Sequence, residues 1–229
     1  AGARPPRREL AAARKNLAWA HSTMSQFDAA LPHAEAAVEA LQECLGPQHL
    51  EVAAALDLCA EVLRCLGNPE RCMAMQNQSL SIKRRELGRE HPSVADTTAQ
   101  LGMTYIQLKD MKEGLRLLTR ALAVQEKVLG PAHKDTGSVL ASLGSVLLRL
   151  GRPAWSREYL ERALAIQERE FGPDHLLNVT TLTCLGSAAA LLGDRARGKE
   201  LIDRALAIAE REKLQPAAPG AGPELPLSC

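Results

Sequence analysis

Four histidines, His49, His91, His133 and His175, recur at a fixed spacing of 42 residues. Evenly repeated imidazoles invite a metal-site reading. Metal ligands must converge within about 2.1 Å of one ion. Side chains one repeat apart are instead strung along the chain of repeats and cannot meet. The four are expected to be header residues before helices, with His91, directly before Pro92, in a cap position. No metal is expected.

Other chemistry-bearing segments fare similarly. Gly193-Asp194-Arg195-Ala196-Arg197-Gly198-Lys199 nearly matches a phosphate-binding loop. The next residue is Glu200 rather than Ser or Thr, and the segment joins two helical stretches rather than a strand and a helix. Cys59, Cys65 and Cys72 cluster within one repeat. A reactive thiolate needs a basic neighbour or a helix N-terminus. Cys59 and Cys72 fall at core spacings, so packing explains them, while Cys65 faces nearer the solvent side beside Arg64, where a redox role is the alternative. No Ser-His-acid set, paired carboxylates or Gly-rich nucleotide turn has a plausible context. The chain is expected not to be an enzyme, to hold no cofactor and to take no small-molecule substrate.

Composition narrows the field further. The 229 residues are 46% apolar and 24% charged, an ordinary globular balance, with only 3% aromatics. Any core must be built from Ala, Leu, Val and Ile. Lys plus Arg number 28 against 27 Asp plus Glu, which argues against a nucleic-acid binder and a polybasic membrane-surface protein. No run approaches the roughly 18 apolar residues of a membrane span, and no apolar signal-peptide core follows Arg7-Arg8. The six cysteines form no C-x-x-C and no paired framework, as expected of reduced cytosolic thiols. The first residue is Ala1, which points to a piece of something longer. A cytoplasmic location, with cytoskeletal or ciliary association as a variant, is the expectation.

These residues sit in a repeat. Leu45-Gly46-Pro47-Gln48-His49 recurs as Leu87-Gly88-Arg89-Glu90-His91, as Leu129-Gly130-Pro131-Ala132-His133 and as Phe171-Gly172-Pro173-Asp174-His175. An earlier unit without that header starts near residue 3. Three columns carry only small residues: Ala18, Ala60, Gly102, Gly144, Gly186; Ala30, Cys72, Gly114, Ser156, Gly198; and Ala37, Ser79, Ala121, Ala163, Ala205. Larger apolar columns flank them: Leu17, Cys59, Leu101, Leu143, Leu185, and Val38, Leu80, Leu122, Leu164, Leu206. Small residues let helices approach closely and large ones fill the space between.

Leu140, Leu143, Leu147 and Leu150 fall at helical spacing. Breaks follow at Leu66-Gly67-Asn68-Pro69, Leu108-Lys109-Asp110, Leu150-Gly151-Arg152-Pro153 and Leu192-Gly193-Asp194, where Gly can end one helix and Asn or Asp can cap the next. Each unit is therefore helix A, tight turn, helix B. The A helices are expected near 8–24, 50–66, 92–108, 134–150 and 176–192. The B helices are expected near 28–44, 69–86, 111–128, 153–170 and 195–213. Pro32 should delay or kink the first B helix. The repeats run about 3–44, 45–86, 87–128, 129–170 and 171–213. Flanking them, 1–7 is expected to be flexible and the Pro/Gly/Ala-rich 214–229 a disordered tail.

The columns resemble the tetratricopeptide repeat. Its helix-A Leu-Gly pair stands as Leu101-Gly102, Leu143-Gly144 and Leu185-Gly186, and its helix-B Ala-Leu pair as Ala121-Leu122, Ala163-Leu164 and Ala205-Leu206. The 42-residue period and the Leu-Gly-x-x-His header resemble the long-helix variant of kinesin light chains and nephrocystin-type proteins. The Asn-Asn pair that precedes Leu-Ala in helix A of kinesin light chains is reduced here to Lys15-Asn16. The resemblance implies an all-α, right-handed superhelical solenoid of five helix-turn-helix repeats over 8–213. It also implies a concave groove lined by A helices that holds a protein or peptide partner. The groove positions carried over are Lys15, Asn16, Trp19, Asp57, Glu61, Arg64, Gln100, Met103, Gln107, Ser142, Ser145, Arg149, Thr183 and Ser187. Trp19 is either a partner anchor or a cap on the end of the stack. The function expected is a non-enzymatic adaptor or scaffold. The alternative is a self-associating or autoinhibitory segment of a larger protein.

Overall fold

The computed structural model describes residues 7–214, so the expected flexible start and tail lie largely outside the described residues. Within them the fold is all-α and the described residues contain no strand. Five A helices, α1 (Arg7–Thr23), α3 (Leu50–Cys65), α5 (Pro92–Gln107), α7 (Lys134–Arg149) and α9 (Leu177–Leu191), alternate with five B helices. The latter are α2 (Phe27–Leu45), α4 (Pro69–Leu87), α6 (Met111–Val128), α8 (Pro153–Phe171) and α10 (Arg195–Leu214). Every bound lies within a residue of its expected place, because the punctuation is chemical. Asn68 Oδ1 accepts the backbone N–H of Arg71 at 3.3 Å, Asp110 Oδ1 that of Glu113 at 3.1 Å, and Asp194 Oδ1 that of Arg197 at 3.0 Å. Gly67, Gly151 and Gly193 close their A helices with positive φ. At the same register Lys109 adopts φ +67° without being glycine.

Pro32 does not delay α2. The helix starts at Phe27, in register with every other B helix. The first turn needs no intrahelical N–H partners, so a proline at the sixth helical residue removes only one early bond. Buried Ala30, Ala34, Ala37, Val38 and Leu41 hold the helix through tertiary packing.

The chain divides into two compact units, one ending at Leu117 and the other starting at Leu118, with the boundary inside α6. In the first, α1 to α5 pack in sequence, each helix on the next. Val38 and Leu41 of α2 meet Val52, Leu56 and Cys59 of α3, and Leu80 of α4 meets Val94 and Leu101 of α5. In the second, α7 packs on α8, α8 on α9 and α9 on α10. Leu160 and Leu164 meet Leu182 and Leu185 there, and Leu185 shares its cluster with Leu201 and Ala205. The small columns mark where A and B helices cross. A Cβ on Gly144 would stand 2.5 Å from Leu160 Cγ, and one on Gly198 would stand 2.8 Å from the Gly186 carbonyl oxygen. Ser156, in the same column as Gly198, donates its hydroxyl to the Gly144 carbonyl at 2.7 Å.

Candidate functional site: the outer face of the A helices

Each A helix is packed on the sides that meet its neighbours, leaving one stripe at i, i+4, i+7 and i+11 to solvent. On α5 the stripe is Asp96, Gln100, Met103 and Gln107, while the residues between are almost all buried. Register carries the stripe to Asn16 and Trp19 on α1 and to Leu58, Glu61 and Cys65 on α3. In the second unit it runs through Ser138, Ser142, Ser145 and Arg149 on α7, then Cys184, Ser187 and Leu191 on α9. Of the residues expected to line a groove, Asn16, Trp19, Glu61, Gln100, Met103, Gln107, Ser142, Ser145, Arg149 and Ser187 fall on these stripes. Trp19 is 52% exposed on α1.

Four expected positions, Lys15, Asp57, Arg64 and Thr183, lie off the stripe. Asp57 turns into the layer between α3, α4 and α5, where Ser79 Oγ donates to it at 2.6 Å and Lys83 Nζ pairs with it at 2.6 Å. It is a structural carboxylate rather than an open groove charge. Its repeat partners diverge, since Ala99 is buried, Lys15 half-buried and Thr183 exposed. Arg64 is half-buried, and its charge acts on Glu61 in its own helix and on Cys72 in α4. Asp96, Ser138 and Leu191 were missed, although the stripe spacing drawn through Gln100 and Arg149 reaches all three.

The chemistry differs between units. In the first, Gln100 Nε2 donates to Asp96 at 3.4 Å, and Glu61 stands half-buried with its carboxyl raised by burial against the pull of Arg64. In the second, hydroxyls bond back to their own helices. Ser142 donates to Ser138 O at 3.0 Å, Ser145 to Ser142 O at 2.8 Å, Thr183 to Val179 O at 2.8 Å and Ser187 to Thr183 O at 2.9 Å. Their protons are engaged and their lone pairs face outward, so these residues present acceptors. Arg149 supplies the charged donor on α7.

The remaining candidates have structural explanations. His49, His91 and His133 are N-caps whose Nδ1 accepts the backbone N–H of Glu51, Ser93 and Asp135 at 3.1, 3.1 and 3.2 Å. His175 Nδ1 does the same for Leu177 at 3.2 Å. Among the described residues no three His, Cys, Asp or Glu side chains gather as a metal site. Burial pushes the Cys59 thiol up to about 12 and raises Cys72 and Cys184, which suppresses the thiolate form of all three. The near phosphate-loop segment is the turn between α9 and α10, with Asp194 as cap. No described helix is long and apolar enough to cross a membrane.

Comparison with known proteins agrees with this architecture. The tetratricopeptide repeat family matches residues 9–85, 93–165 and 141–211. No curated protein sequence matches the chain. Among solved structures, a Podosopora anserina protein of the kinesin light chain type, with nearly identical tetratricopeptide-like repeats, is 22% identical. The alignment covers 93% of this chain and all of that one, with a TM-score of 0.69. BtubC (BKLC) of P. vanneervenii is 21% identical over 97% of this chain and 89% of its own, with a TM-score of 0.75. A Rap protein complexed with the competence and sporulation factor is 18% identical over 87% of this chain and 54% of its own, with a TM-score of 0.74. The family's match across most of the described helices, on a scaffold of A and B pairs crossing at small residues, makes the chain a member of the tetratricopeptide repeat family.

Proposed function

We propose that this chain is a non-enzymatic adaptor that captures a protein or peptide partner on the A-helix stripes. The observation that carries this reading is the stripe itself. Successive A helices leave one face to solvent, and that face holds Trp19, Glu61, Gln100 and Met103 in one unit and Ser142, Ser145 and Arg149 in the other. In the first unit an aromatic anchor, amides and a carboxylate, and in the second outward acceptors with an arginine, each suit an extended chain with its own backbone donors and acceptors. The solved Rap protein complexed with the competence and sporulation factor supports ligand capture on this kind of scaffold. The thiols of Cys44, Cys59, Cys72 and Cys184, none of them in a disulfide, favour a reducing compartment such as the cytoplasm.

The test is selection of a displayed random-peptide library on the 229-residue chain. A Trp19→Ala, Glu61→Lys, Arg149→Glu variant is probed with the selected peptides. All three residues lie on stripes, so helical content should be unchanged. Selected peptides that lose the variant support the reading. Peptides that bind parent and variant alike refute it.

A further inference from the structure

The two apolar columns that join α2 to α3, α4 to α5 and α8 to α9 each leave one member exposed, one at each end of the described chain. In the first column Cys59, Leu101, Leu143 and Leu185 are no more than 5% exposed, but Leu17 on α1 is 44% exposed. In the second, Val38, Leu80, Leu122 and Leu164 are no more than 9% exposed, but Leu206 on α10 is 54% exposed. The two columns meet each other inside the molecule. Val38 clusters with Cys59, Leu80 with Leu101, and Leu164 with Leu185. Around Leu17 the same contrast repeats. Leu10 and Ala13 are exposed, whereas their counterparts Val52, Val94, Thr136 and Asn178, and Ala55, Thr97, Val139 and Thr181, are buried. Beside Leu206, Ile202 and Ala209 are half-exposed.

We infer that a second copy of this chain covers these faces, with α10 of one copy seated on α1 of the next. The contact would continue the interface that already joins α2 to α3, α4 to α5 and α8 to α9. Leu206 takes the place of Leu164, and Leu17 of the next copy takes the place of Leu185. The two faces differ, so the contact is heterologous and propagates head to tail rather than closing as a symmetric dimer. This goes beyond the adaptor reading, since it uses the ends of the helix stack and leaves the stripes open.

The experiment is sedimentation equilibrium of the reduced 229-residue chain over a concentration series, with three variants. Leu17→Glu disables the α1 face, Leu206→Glu the α10 face, and Leu10→Glu is an independent second lesion on α1. All three side chains are exposed, so circular dichroism should be unchanged. The expected result is a parent whose average mass rises with concentration. Each variant alone should stay monomeric, and an equimolar mixture of Leu17→Glu with Leu206→Glu should form dimers and nothing larger. Each variant in that mixture keeps the one face that the other has lost. A parent that stays monomeric throughout overturns the inference. Self-association surviving Leu17→Glu or Leu206→Glu overturns it too, as does a mixture that remains monomeric.

Discussion

Lys83 Nζ lies 2.6 Å from Asp57 Oδ2 and 2.6 Å from Thr97 Oγ1, so one nearly buried ammonium ties α4 to both neighbouring helices. Ser79 completes the set by donating to Asp57, and Thr97 donates its hydroxyl hydrogen bond to Ser93 O at 3.1 Å. Removing one member of such a pair leaves the other charge under-compensated in a poorly hydrated layer. Lys83→Met is expected to lower stability by about 2–3 kcal/mol, a value held below that of fully buried pairs because Asp57 keeps some solvent access. The double variant Lys83→Met, Asp57→Leu should recover much of the loss. Urea midpoints for parent, single and double variants measure this directly.

The small columns make an equally local prediction. A Cβ at position 144 would meet Leu160 Cγ at 2.5 Å and Cδ2 at 2.7 Å, with the Ser156 carbonyl at 3.3 Å. Gly144→Ala is therefore an overpacking change at the α7–α8 crossing, with an expected cost of about 1–3 kcal/mol. Gly198→Ala strikes the Gly186 backbone oxygen at 2.8 Å, and backbone cannot rotate away as Leu160 can. Its midpoint in thermal unfolding should fall further than that of Gly144→Ala.

Lys109 occupies the left-handed position that Gly67, Gly151 and Gly193 fill in other repeats, at φ +67°. A side chain there crowds its own backbone, and the helix end supplies the compensation through Leu108 N–H to Thr104 O at 3.0 Å and Asp110 N–H to Tyr105 O at 2.9 Å. Lys109→Gly relieves the strain, while added freedom in the unfolded chain offsets part of the gain. The net expectation is a rise of about 0.5–1 kcal/mol, visible as a higher urea midpoint. A fall would show that the lysine side chain contributes more than its backbone strain removes.

Helix bounds were legible in the sequence because each is set by a local signal: Asn68, Asp110 and Asp194 cap, the glycines after A helices terminate, and His91 precedes Pro92. The late start expected from Pro32 does not occur, because a local breaker signal competes with the packing of Ala30, Ala34 and Ala37, and packing decided the helix start. The stripe was partly legible. The family resemblance carried Asn16, Trp19, Gln100 and Met103 to positions that fall on the solvent-facing stripes. It could not reveal that Asp57 has Ser79 and Lys83 as partners, since those sit 22 and 26 residues away on another helix. The two end faces needed burial values, because Leu17 and Leu206 belong to core columns in sequence and differ from them only in lacking a neighbour.

The repeated histidine predicts a separable capping effect. His133 Nδ1 holds the N–H of Asp135 at 3.2 Å, and the backbone enters the cap extended, at φ −74° and ψ 147°. His133→Ala deletes the acceptor and should cost about 1 kcal/mol, whereas His133→Asn keeps a side-chain acceptor and should cost much less. Amide hydrogen exchange in the first turn of α7 distinguishes the two, with faster exchange expected only in the alanine variant.

Glu61 gives the pH prediction. Burial lifts its carboxyl above the ordinary 4.5, with Arg64 opposing, so the folded chain holds this proton more tightly than the unfolded chain does. A carboxylate raised in the folded state is a liability above that raised value. The liability shrinks as pH falls through the folded value and is gone below the unfolded one. Glu61→Gln removes the ionisation while keeping the shape. The variant is expected to unfold at higher urea than the parent at neutral pH, and the gap should close as pH drops below 4.5. Equal midpoints at neutral pH would show that solvent and Arg64 compensate the charge fully. A retained gap at neutral pH together with lost peptide capture would mark Glu61 as a residue that weakens the fold and serves the stripe.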